Sequence, residues 1–301
     1  MNSLFIRPQV SYVVFASAKS GTTWLQRLLS AHPQAICCES RAFGDYIGSN
    51  AAGTPHITLE KYLQVLSGYF APTIPELQPG SQAYRSLLFN MLDLLAANTL
   101  SGTNKRIYGE KFTPYRGTAM NAMLTFYSYN PDIKFIHLIR DGRDVIVSGA
   151  AQWLSQRAHT GNPAEQAAAL HDLKEHRLRQ EDFEMFLDMW IDSAEAGIEA
   201  KQRFPSYRQV AYEDILTDTG GMAKNIFGFI GIDDSPDVIH DCTHKTSFSS
   251  LSGGRKNGKE DLNSFFRKGI KGDWENWFTD QHKTVFNQRA GHIMLKLGYP
   301  I

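Results

Sequence analysis

A short polar segment near the N-terminus combines the residue types that bind an anion. Residues 17–24 read Ser-Ala-Lys-Ser-Gly-Thr-Thr-Trp and lie between an apolar run and a helix-forming run. A loop of this kind points backbone N–H groups and the positive end of a helix dipole at one place, where Lys19 adds a cation. An ordinary turn is the alternative, but lysine, glycine and hydroxyl groups converge here. The candidate ligand-binding residues are Lys19, Ser20, Gly21, Thr22, Thr23 and Trp24.

The order of residues in this segment argues against an ordinary nucleoside triphosphate as the ligand. A Walker A loop has the pattern G-x-x-x-x-G-K-[ST]. Here the lysine precedes the glycine, and the upstream glycine is missing. The segment therefore predicts a site for a different phosphate-like anion.

A second segment, residues 140–148, follows another apolar run and reads Arg-Asp-Gly-Arg-Asp-Val-Ile-Val-Ser. The Arg140 guanidinium and the Ser148 hydroxyl could hold a phosphate together. A solvated helix start is an equally good interpretation of this segment alone. We expect three of its residues to form a solvated charged turn: Asp141, Arg143 and Asp144.

A third segment, residues 267–274, reads Arg-Lys-Gly-Ile-Lys-Gly-Asp-Trp. The three segments together resemble, in order, the phosphosulfate loop, the 3′-phosphate pair and the R-K-G-x-x-G-D-W segment of sulfotransferases that use 3′-phosphoadenosine-5′-phosphosulfate (PAPS). The resemblance implies PAPS as the donor and adenosine 3′,5′-bisphosphate (PAP) as the product. It assigns further contacts with the 3′-phosphate to Arg267, Lys268 and Gly269.

Weaker matches to the same family concern the adenine. Tyr212, in Ala-Tyr-Glu-Asp, resembles a family tyrosine near the base, and Trp24 would stack on the base. A Thr-Ser-Phe sequence resembles the family's adenine contact and comprises Thr246, Ser247 and Phe248. Packing in the core is a nearly equal alternative for each of these residues.

The resemblance also points to a general base, which a hydroxyl acceptor needs because it ionises far above neutral pH. Residues 108–115 resemble the G-E-K-[ST]-x-x-Y stretch of glycan and bacterial sulfotransferases, although Phe112 replaces the hydroxyl residue. This implies that Glu110 is the base and that Lys111 attracts the sulfuryl group. A solvent-facing Glu110–Lys111 pair is the alternative. His137 is the second candidate base, although its apolar neighbours are typical of a core histidine.

The catalytic residues predicted in this way are Glu110, Lys19 and Lys111. Lys19 and backbone N–H groups would neutralise the charge that develops on the leaving phosphate. Because a sulfuryl group carries less negative charge than a phosphoryl group, we expect no metal requirement.

The composition is that of an ordinary globular enzyme. The chain has 301 residues, of which 42% are hydrophobic and 21% charged, and its formal net charge is zero. Nothing in this balance suggests a nucleic-acid or membrane partner. Three cysteines cannot form a disulfide framework, so we predict a reduced, cytoplasmic protein. The expected partner is a small-molecule acceptor such as a natural product or secondary metabolite, and the oligomeric state is open.

Alternating apolar runs and helical patterns predict an α/β fold with a P-loop-like, doubly wound parallel sheet flanked by helices, in one domain over residues 1–301. Such sheets bind ligands at the carboxyl ends of their strands. Strands are predicted at 12–17, 106–111, 134–139 and 207–212. Helices are predicted at 22–30, 58–69, 84–95, 115–129, 144–155, 164–179, 183–203, 221–230 and 279–297.

Three regions outside the motifs also receive predictions. Residues 247–272 are rich in Gly, Ser, Lys and Asn and predict a long functional loop. Residues 39–79 and 153–182 are predicted to wall the acceptor pocket. Two other functions remain open: a P-loop kinase-like phosphotransferase, and a PAP-binding module that has lost catalysis.

Overall fold

A computed structural model describes residues 8–40, 42, 47–49, 55–70, 72–114 and 117–301 of the chain. The strands within this part are β1 (Val10–Phe15), β2 (Ala35–Glu39), β3 (Ile47–Ser49), β4 (Pro55–Ile57), β5 (Ile107–Phe112), β6 (Lys134–Ile139) and β7 (Tyr207–Ala211). The helices are α1 (Thr22–Ala31), α2 (Leu59–Phe70), α3 (Gln82–Ser101), α4 (Ala119–Tyr129), α5 (Gly142–Thr160), α6 (Pro163–Lys174), α7 (Gln180–Arg203), α8 (Tyr212–Thr217), α9 (Thr219–Ile230), α10 (Pro236–Lys245), α11 (Phe248–Leu251) and α12 (Asp280–Leu297).

Five strands form one parallel sheet in the order β2-β5-β1-β6-β7, and β3 pairs with β4 separately in antiparallel fashion. β1 and β6 are mostly apolar along their length because helices cover both faces of the sheet. One face packs against α3, α4 and α7, and the other packs against α1, α9 and α10. The predicted fold class is therefore confirmed.

The sequence patterns located the central strands more accurately than the outer elements. The four predicted strands correspond to β1, β5, β6 and β7, and the strand predicted at 134–139 matches β6 at both ends. The patterns missed β2, which reads Ala-Ile-Cys-Cys-Glu, and the helices α8 and α10. β2 and α8 have only five and six residues, so their periodicity is weak compared with that of a longer buried strand or helix.

The order of the strands determines where a site can form. β1 is central and pairs with β5 on one side and with β6 on the other; the chain passes from β1 to β2 on the first side and later crosses from β5 to β6 on the second. The carboxyl ends of β1, β6 and β7 lead directly into Lys19, Arg140 and Tyr212, respectively. Ligands bind at this kind of switch point in open α/β sheets. No helix in the described part of the chain is long and apolar enough to cross a bilayer.

Candidate active site

A cavity of about 410 Å³ lies at the carboxyl edge of the sheet, and we call it the nucleotide cavity. Its walls come from the β1–α1 loop, the start of α5, the helices α8 and α10, and residues 247–270. Thirteen of the residues predicted from the motifs line it: Lys19, Gly21, Thr22, Thr23, Trp24, Arg140, Ser148, Tyr212, Ser247, Phe248, Arg267, Lys268 and Gly269. Four predicted residues are not among those that line it: Ser20, Thr246, Glu110 and Lys111.

Gly21 shapes the loop at the entrance to α1. Its φ of +94° lies in the left-handed region, and a Cβ here would lie 2.7 Å from the ring of Tyr212. Glycine is therefore required both by the turn and by the close approach of the ring. Gly21 is also the N-cap of α1 and has no side chain with which to accept from the first N–H groups. The residues that carry those groups line the cavity, as an anion site at a helix N-terminus requires.

Lys19 lies beside this turn and also has a positive φ, 70°. Its ammonium group donates a hydrogen bond to Oε1 of Gln152 at 2.5 Å and lies 4.5 Å from the centre of the Phe265 ring. Burial, together with the positive charges of Arg140 and Arg267, lowers the pKa of Lys19 to about 8. A bound anion would relieve this repulsion, because opposite charges favour the protonated form.

Arg140 is held from several directions at the end of β6. Nη1 donates to the carbonyl of Lys19 at 3.0 Å, and Nη2 donates to the carbonyl of Ile270 at 3.1 Å. The guanidinium carbon lies 4.4 Å from the centre of the Tyr212 ring. Nε is buried and has no hydrogen-bond partner within the described chain. The guanidinium is thus rigidly placed beside the cavity and retains donor capacity for an anion.

The charged turn after Arg140 is buried, which corrects the prediction of a solvated turn for Asp141, Arg143 and Asp144. Their exposed fractions are 9%, 7% and 1%, respectively. Arg143 makes two hydrogen bonds to the Asp141 carboxylate, at 2.9 and 2.7 Å, and its guanidinium carbon lies 4.1 Å from the Trp274 ring centre. Paired charges of this kind survive burial because each satisfies the other.

Asp144 connects the second motif to the third. Its Oδ2 accepts from the backbone N–H of Gly272 at 2.7 Å, and its Oδ1 accepts from that of Trp274 at 3.0 Å. Arg140 lies 3.8 Å from the same carboxylate. Burial raises the pKa of Asp144, and the charge of Arg140 offsets part of that rise. The acidic residue therefore positions a basic loop, a role that sequence spacing does not reveal.

The predicted loop at 247–272 is ordered by its own side chains. Arg255 donates to the carbonyls of Ser252, Lys259, Phe266 and Arg267. This arginine lies outside every motif, but it satisfies backbone carbonyls that regular structure would otherwise satisfy. Residues 248–251 of this segment form the short helix α11, so the predicted loop is not entirely irregular.

Arg267 and Lys268, the basic pair of the third motif, form ion pairs with Asp273 of the same motif. Asp273 accepts from Arg267 at 2.5 Å and from Lys268 at 2.6 Å, and Glu260 forms a further ion pair with Arg267. Burial opposes the charge on Asp273, but the hydrogen bond from Lys268 and the charge of Arg267 lower its pKa to about 2. Nε of Arg267 is buried and has no partner among the described residues.

Aromatic and small residues form the other end of the cavity. Nε1 of Trp24 donates to the carbonyl of Thr246 at 2.9 Å, which fixes the indole as part of the wall. The Thr246 side chain is itself buried and donates to the carbonyl of Cys242. Gly269 has a φ of +65°, and a Cβ there would lie 2.5 Å from the Phe248 ring. The loop backbone and the Phe248 ring can therefore touch only because residue 269 is glycine.

Glu110 and Lys111 occupy the end of β5, and both are 4% exposed. This burial rules out the alternative of a solvent-facing pair. The Tyr108 hydroxyl donates to Oε1 of Glu110 at 3.2 Å, whereas Oε2 has no hydrogen-bond partner in the described chain. Burial raises the pKa of Glu110, and the nearby Ser40 and Tyr108 hydroxyls offset part of the rise. Successive residues of a strand face opposite sides, so Lys111 points away from Glu110 and forms an ion pair with Glu39 at 3.1 Å.

His137 lies in the sheet core. Its ring stacks on Phe15 at 4.5 Å, and its Nδ1 hydrogen-bonds the Tyr207 hydroxyl at 2.8 Å. Burial lowers the pKa of His137 to about 3, so the ring is neutral near pH 7. His137 does not line the nucleotide cavity.

Several cavity residues lay outside the motifs and were not predicted. The apolar ones among them are Ile215, Leu216, Leu251, Phe265, Phe266 and Ile270, and the polar ones are Thr219, Thr243 and Asn257. Their proximity in sequence to Tyr212, Phe248 and Arg267 is the signal that could have identified most of them. Within the part that the structure describes, no three His, Cys, Asp or Glu side chains are grouped as metal ligands would be.

The comparison with known families agrees with this geometry. The sulfotransferase domain family matches residues 11–298. The chain belongs to this family. The resemblance drawn from the three motifs is therefore confirmed.

The individual sulfotransferases that match the chain are about a quarter identical to it over the aligned residues. Human sulfotransferase 2A1 is 24% identical over 165 residues, which cover 50% of this chain and 53% of the human protein. Mouse sulfotransferase 2A1 is 26% identical over 168 residues, which cover 53% of this chain and 56% of the mouse protein. The chain thus spans about half the length of the curated relatives it matches.

Two solved structures share the fold over nearly the whole chain. A mouse sulfotransferase in complex with PAP has a TM-score of 0.54 and 18% identity, and the match covers 95% of this chain and 85% of that one. The sulfotransferase domain of the Synechococcus PCC 7002 olefin synthase has a TM-score of 0.54 and 14% identity, with coverages of 100% and 98%. At these identities the likeness concerns the fold.

Proposed function

We propose that the protein is a PAPS-dependent sulfotransferase that transfers a sulfuryl group to a hydroxyl or amine of a small-molecule acceptor. The observation that carries this proposal is the charge of the nucleotide cavity. Four cationic side chains line it, and no carboxylate is among its lining residues: the cations are Lys19, Arg140, Arg267 and Lys268. A nucleotide with phosphates at both its 3′ and 5′ positions has the complementary charge distribution.

The residues divide between the two ends of such a nucleotide. The N-terminus of α1 and Lys19 would hold the 5′ end, and Arg140, Ser148 and the loop from Arg267 would hold the 3′-phosphate. The buried Nε atoms of Arg140 and Arg267, which lack partners among the described residues, support this assignment. Adenine would lie against Trp24, Tyr212 and Phe248.

The proposed mechanism uses these groups together with Glu110. PAPS supplies an activated sulfuryl group. Glu110 takes the proton of the acceptor hydroxyl as the acceptor oxygen bonds to sulfur and the bond from sulfur to the 5′-phosphate oxygen breaks. Lys19 and the N–H groups of α1 neutralise the charge left on that phosphate. The raised pKa of Glu110 and its unpartnered Oε2 support this role, because a base works best when its pKa approaches the working pH.

Replacing Glu110 with glutamine tests the catalytic part of the proposal. The amide keeps the size of the side chain but cannot take a proton. We expect kcat to fall at least ~100-fold while the Kd for PAP, measured by calorimetry, stays within about twofold. A variant with near-native turnover would remove Glu110 from the role of base.

The alternative enzyme is a kinase-like phosphotransferase, which would transfer a phosphoryl group instead of a sulfuryl group. A thermal-shift comparison separates the two, because a ligand that binds the folded state raises Tm. We expect stabilisation by PAP and none by ATP with Mg²⁺ at equal concentrations. The opposite ranking would favour the kinase.

A module that binds PAP without catalysis is the non-enzymatic alternative. Such a module would be stabilised by PAP but would sulfate no acceptor. Turnover of PAPS with a generic phenol would exclude it. That the reaction needs no metal ion stays a prediction. Activity measured after treatment with a chelator would test it.

A further inference from the structure

A second cavity of about 410 Å³ adjoins the nucleotide cavity. The two share four lining residues: Lys19, Ser148, Phe265 and Arg267. The junction between the cavities therefore contains Lys19, which is assigned to the 5′ end of the donor, and two residues assigned to its 3′-phosphate, Ser148 and Arg267. A molecule in the second cavity would lie next to the bound donor and would reach the 5′ end of the donor at Lys19.

One face of α5 forms most of the wall of the second cavity. Ser148, Gln152, Ser155, Gln156 and His159 line the cavity and are spaced by four, three, one and three residues. This spacing places them on one side of a helix. The stripe runs for about 16 Å at 1.5 Å per residue, which is the length of a ligand larger than a single ring.

Residues with polar side chains predominate in this wall. Ten of the thirteen lining residues have polar side chains, and the three apolar ones are Ala151, Leu262 and Phe265. Amide and hydroxyl groups both donate and accept, so they match a ligand with many hydroxyl groups rather than a hydrocarbon. Asn263 and Ser264, on the segment facing α5, add the same kinds of group.

His159 contributes a defined hydrogen-bonding direction. Its Nδ1 lies 2.6 Å from the carbonyl oxygen of Ser155, which can only accept. Nδ1 therefore carries a proton, and in the neutral ring Nε2 is left as an acceptor for a ligand hydroxyl. Together with Gln156, it supplies an acceptor and a donor one helical turn apart.

Two further features narrow the ligand class. The cationic residues of this wall are Lys19 and Arg267, and none of its lining residues is Asp or Glu, so an ammonium-bearing acceptor would find no counter-ion. Phe265 is 54% exposed and supplies the aromatic surface of the wall. A flat apolar face beside many polar groups matches a ligand whose ring has an apolar C–H face and hydroxyl edges.

We propose that the second cavity binds the body of the acceptor, beyond the hydroxyl that is sulfated, and that it selects a hydroxyl-rich, glycoside-type acceptor over an apolar phenol or sterol. This proposal rests on the proposed sulfotransferase function and specifies its substrate class. The polar stripe of α5, from Gln152 to His159, is the specificity-determining surface.

The test compares two acceptors, methyl β-cellobioside and 2-naphthol, with PAPS as the donor and mass spectrometry of the sulfated products. The variant is Gln156→Leu combined with His159→Leu, which makes part of the stripe apolar. The matched control is Gln288→Leu combined with His292→Leu, two exposed positions on α12 that line neither cavity.

In the native protein we expect a higher kcat/KM for methyl β-cellobioside than for 2-naphthol. Each lost hydrogen bond weakens binding several-fold, so the ratio of the two kcat/KM values should fall at least ~10-fold in the α5 variant. The change should come mainly from a higher KM for the cellobioside. The α12 control should leave the ratio within about twofold of native.

Two outcomes would overturn the acceptor class: turnover of 2-naphthol alone, and an unchanged ratio in the α5 variant. Failure of the sulfotransferase function itself looks different, because the native protein would then sulfate neither acceptor. A PAP titration by calorimetry then tells whether such a protein still binds the nucleotide, as the module without catalysis would. Turnover of at least one acceptor therefore separates failure of this inference from failure of the proposed function.

Discussion

The two cavities have the same volume, about 410 Å³ each, but their walls are built differently. The nucleotide cavity is walled by segments far apart in the chain, from the loop after β1 to the residues before α12. The second cavity is walled mainly by one face of α5 and residues 262–267. One wall is assembled by the whole fold, and the other consists largely of side chains on a single helix.

The two cavity walls differ in how well they tolerate amino-acid substitutions. The wall of the nucleotide cavity depends on positive φ angles, buried ion pairs and close backbone contacts, each of which constrains its neighbours. The side chains of Gln152, Gln156 and His159 are exposed on α5 and can be exchanged without moving the backbone. We infer that recognition of the donor is rigid, whereas recognition of the acceptor can change with few substitutions.

The most severe test of this contrast is Asp144→Ala. The change strips the N–H groups of Gly272 and Trp274 of their acceptor and leaves Arg140 without its carboxylate neighbour. We expect the free energy of unfolding to fall by about 2–3 kcal/mol, because buried donors lose their partners. Urea denaturation measures this loss, and PAP affinity should fall as well. The control Asp132→Ala, at an exposed turn before β6, should change stability by less than about 0.5 kcal/mol.

Gly21→Ala is expected to have the next largest effect. The φ of +94° and the Tyr212 ring at 2.7 Å leave no room for a methyl group, so the loop must shift. We expect PAP affinity to fall about 100-fold, because the N–H groups of α1 lose their alignment. Calorimetry measures this Kd. Gly68→Ala, in α2 with nothing within 4 Å of its Cβ position, is the control; an equal loss there would contradict a local cause.

Ser148→Ala tests the wall that both cavities share. Loss of one hydroxyl should weaken PAP binding about 10-fold, in line with a hydrogen bond to a charged group. Adenosine 5′-phosphate lacks the 3′-phosphate, so its affinity should not change. Ser155→Ala lies two turns further along the same helix and should change PAP affinity less than about twofold. If both serines mattered equally for PAP, the division into two cavities would be wrong.

The smallest expected effect is a pH dependence that originates at Lys19. Its pKa of about 8 in the free protein means that the ammonium group is charged below that pH and neutral above it. A bound phosphate favours the charged form, so PAP affinity should decrease several-fold as pH rises from 7 to 9. Lys19→Arg keeps its charge throughout, and its affinity should be flat over this range. A native protein with a flat profile would contradict the assigned pKa.

The sequence predicted which residues line the nucleotide cavity better than it predicted the buried residues that hold them in place. The KSGTTW loop, Arg140, Ser148 and residues 267–269 line one cavity, apart from Ser20. Strand ends at one edge of a parallel sheet meet in space, so local patterns were sufficient. The burial of Asp141, Arg143 and Asp144 was not predictable, because a run of charges gives no indication of its partners.

The assignment of a catalytic base was the least predictable part. Glu110 and Lys111 are adjacent in sequence, but they face opposite sides of the sheet and line neither cavity. The role of Glu110 therefore stays a prediction. Of the predicted acceptor wall at residues 153–182, four residues line the second cavity: Ser155, Gln156, His159 and Thr160. The other predicted wall is residues 39–79, of which 41, 43–46, 50–54 and 71 lie outside the described part of the chain.

By itself the sequence determined the fold class, the family and most of the polar groups that line the nucleotide cavity. These depend on short-range features, namely apolar runs, a loop that must turn at glycine, and basic residues at strand ends. The tertiary structure alone decided which acidic groups hold the basic ones and where a second cavity opens. Contacts such as Asp144 with Gly272 join residues 128 positions apart, and no local pattern encodes such a distance.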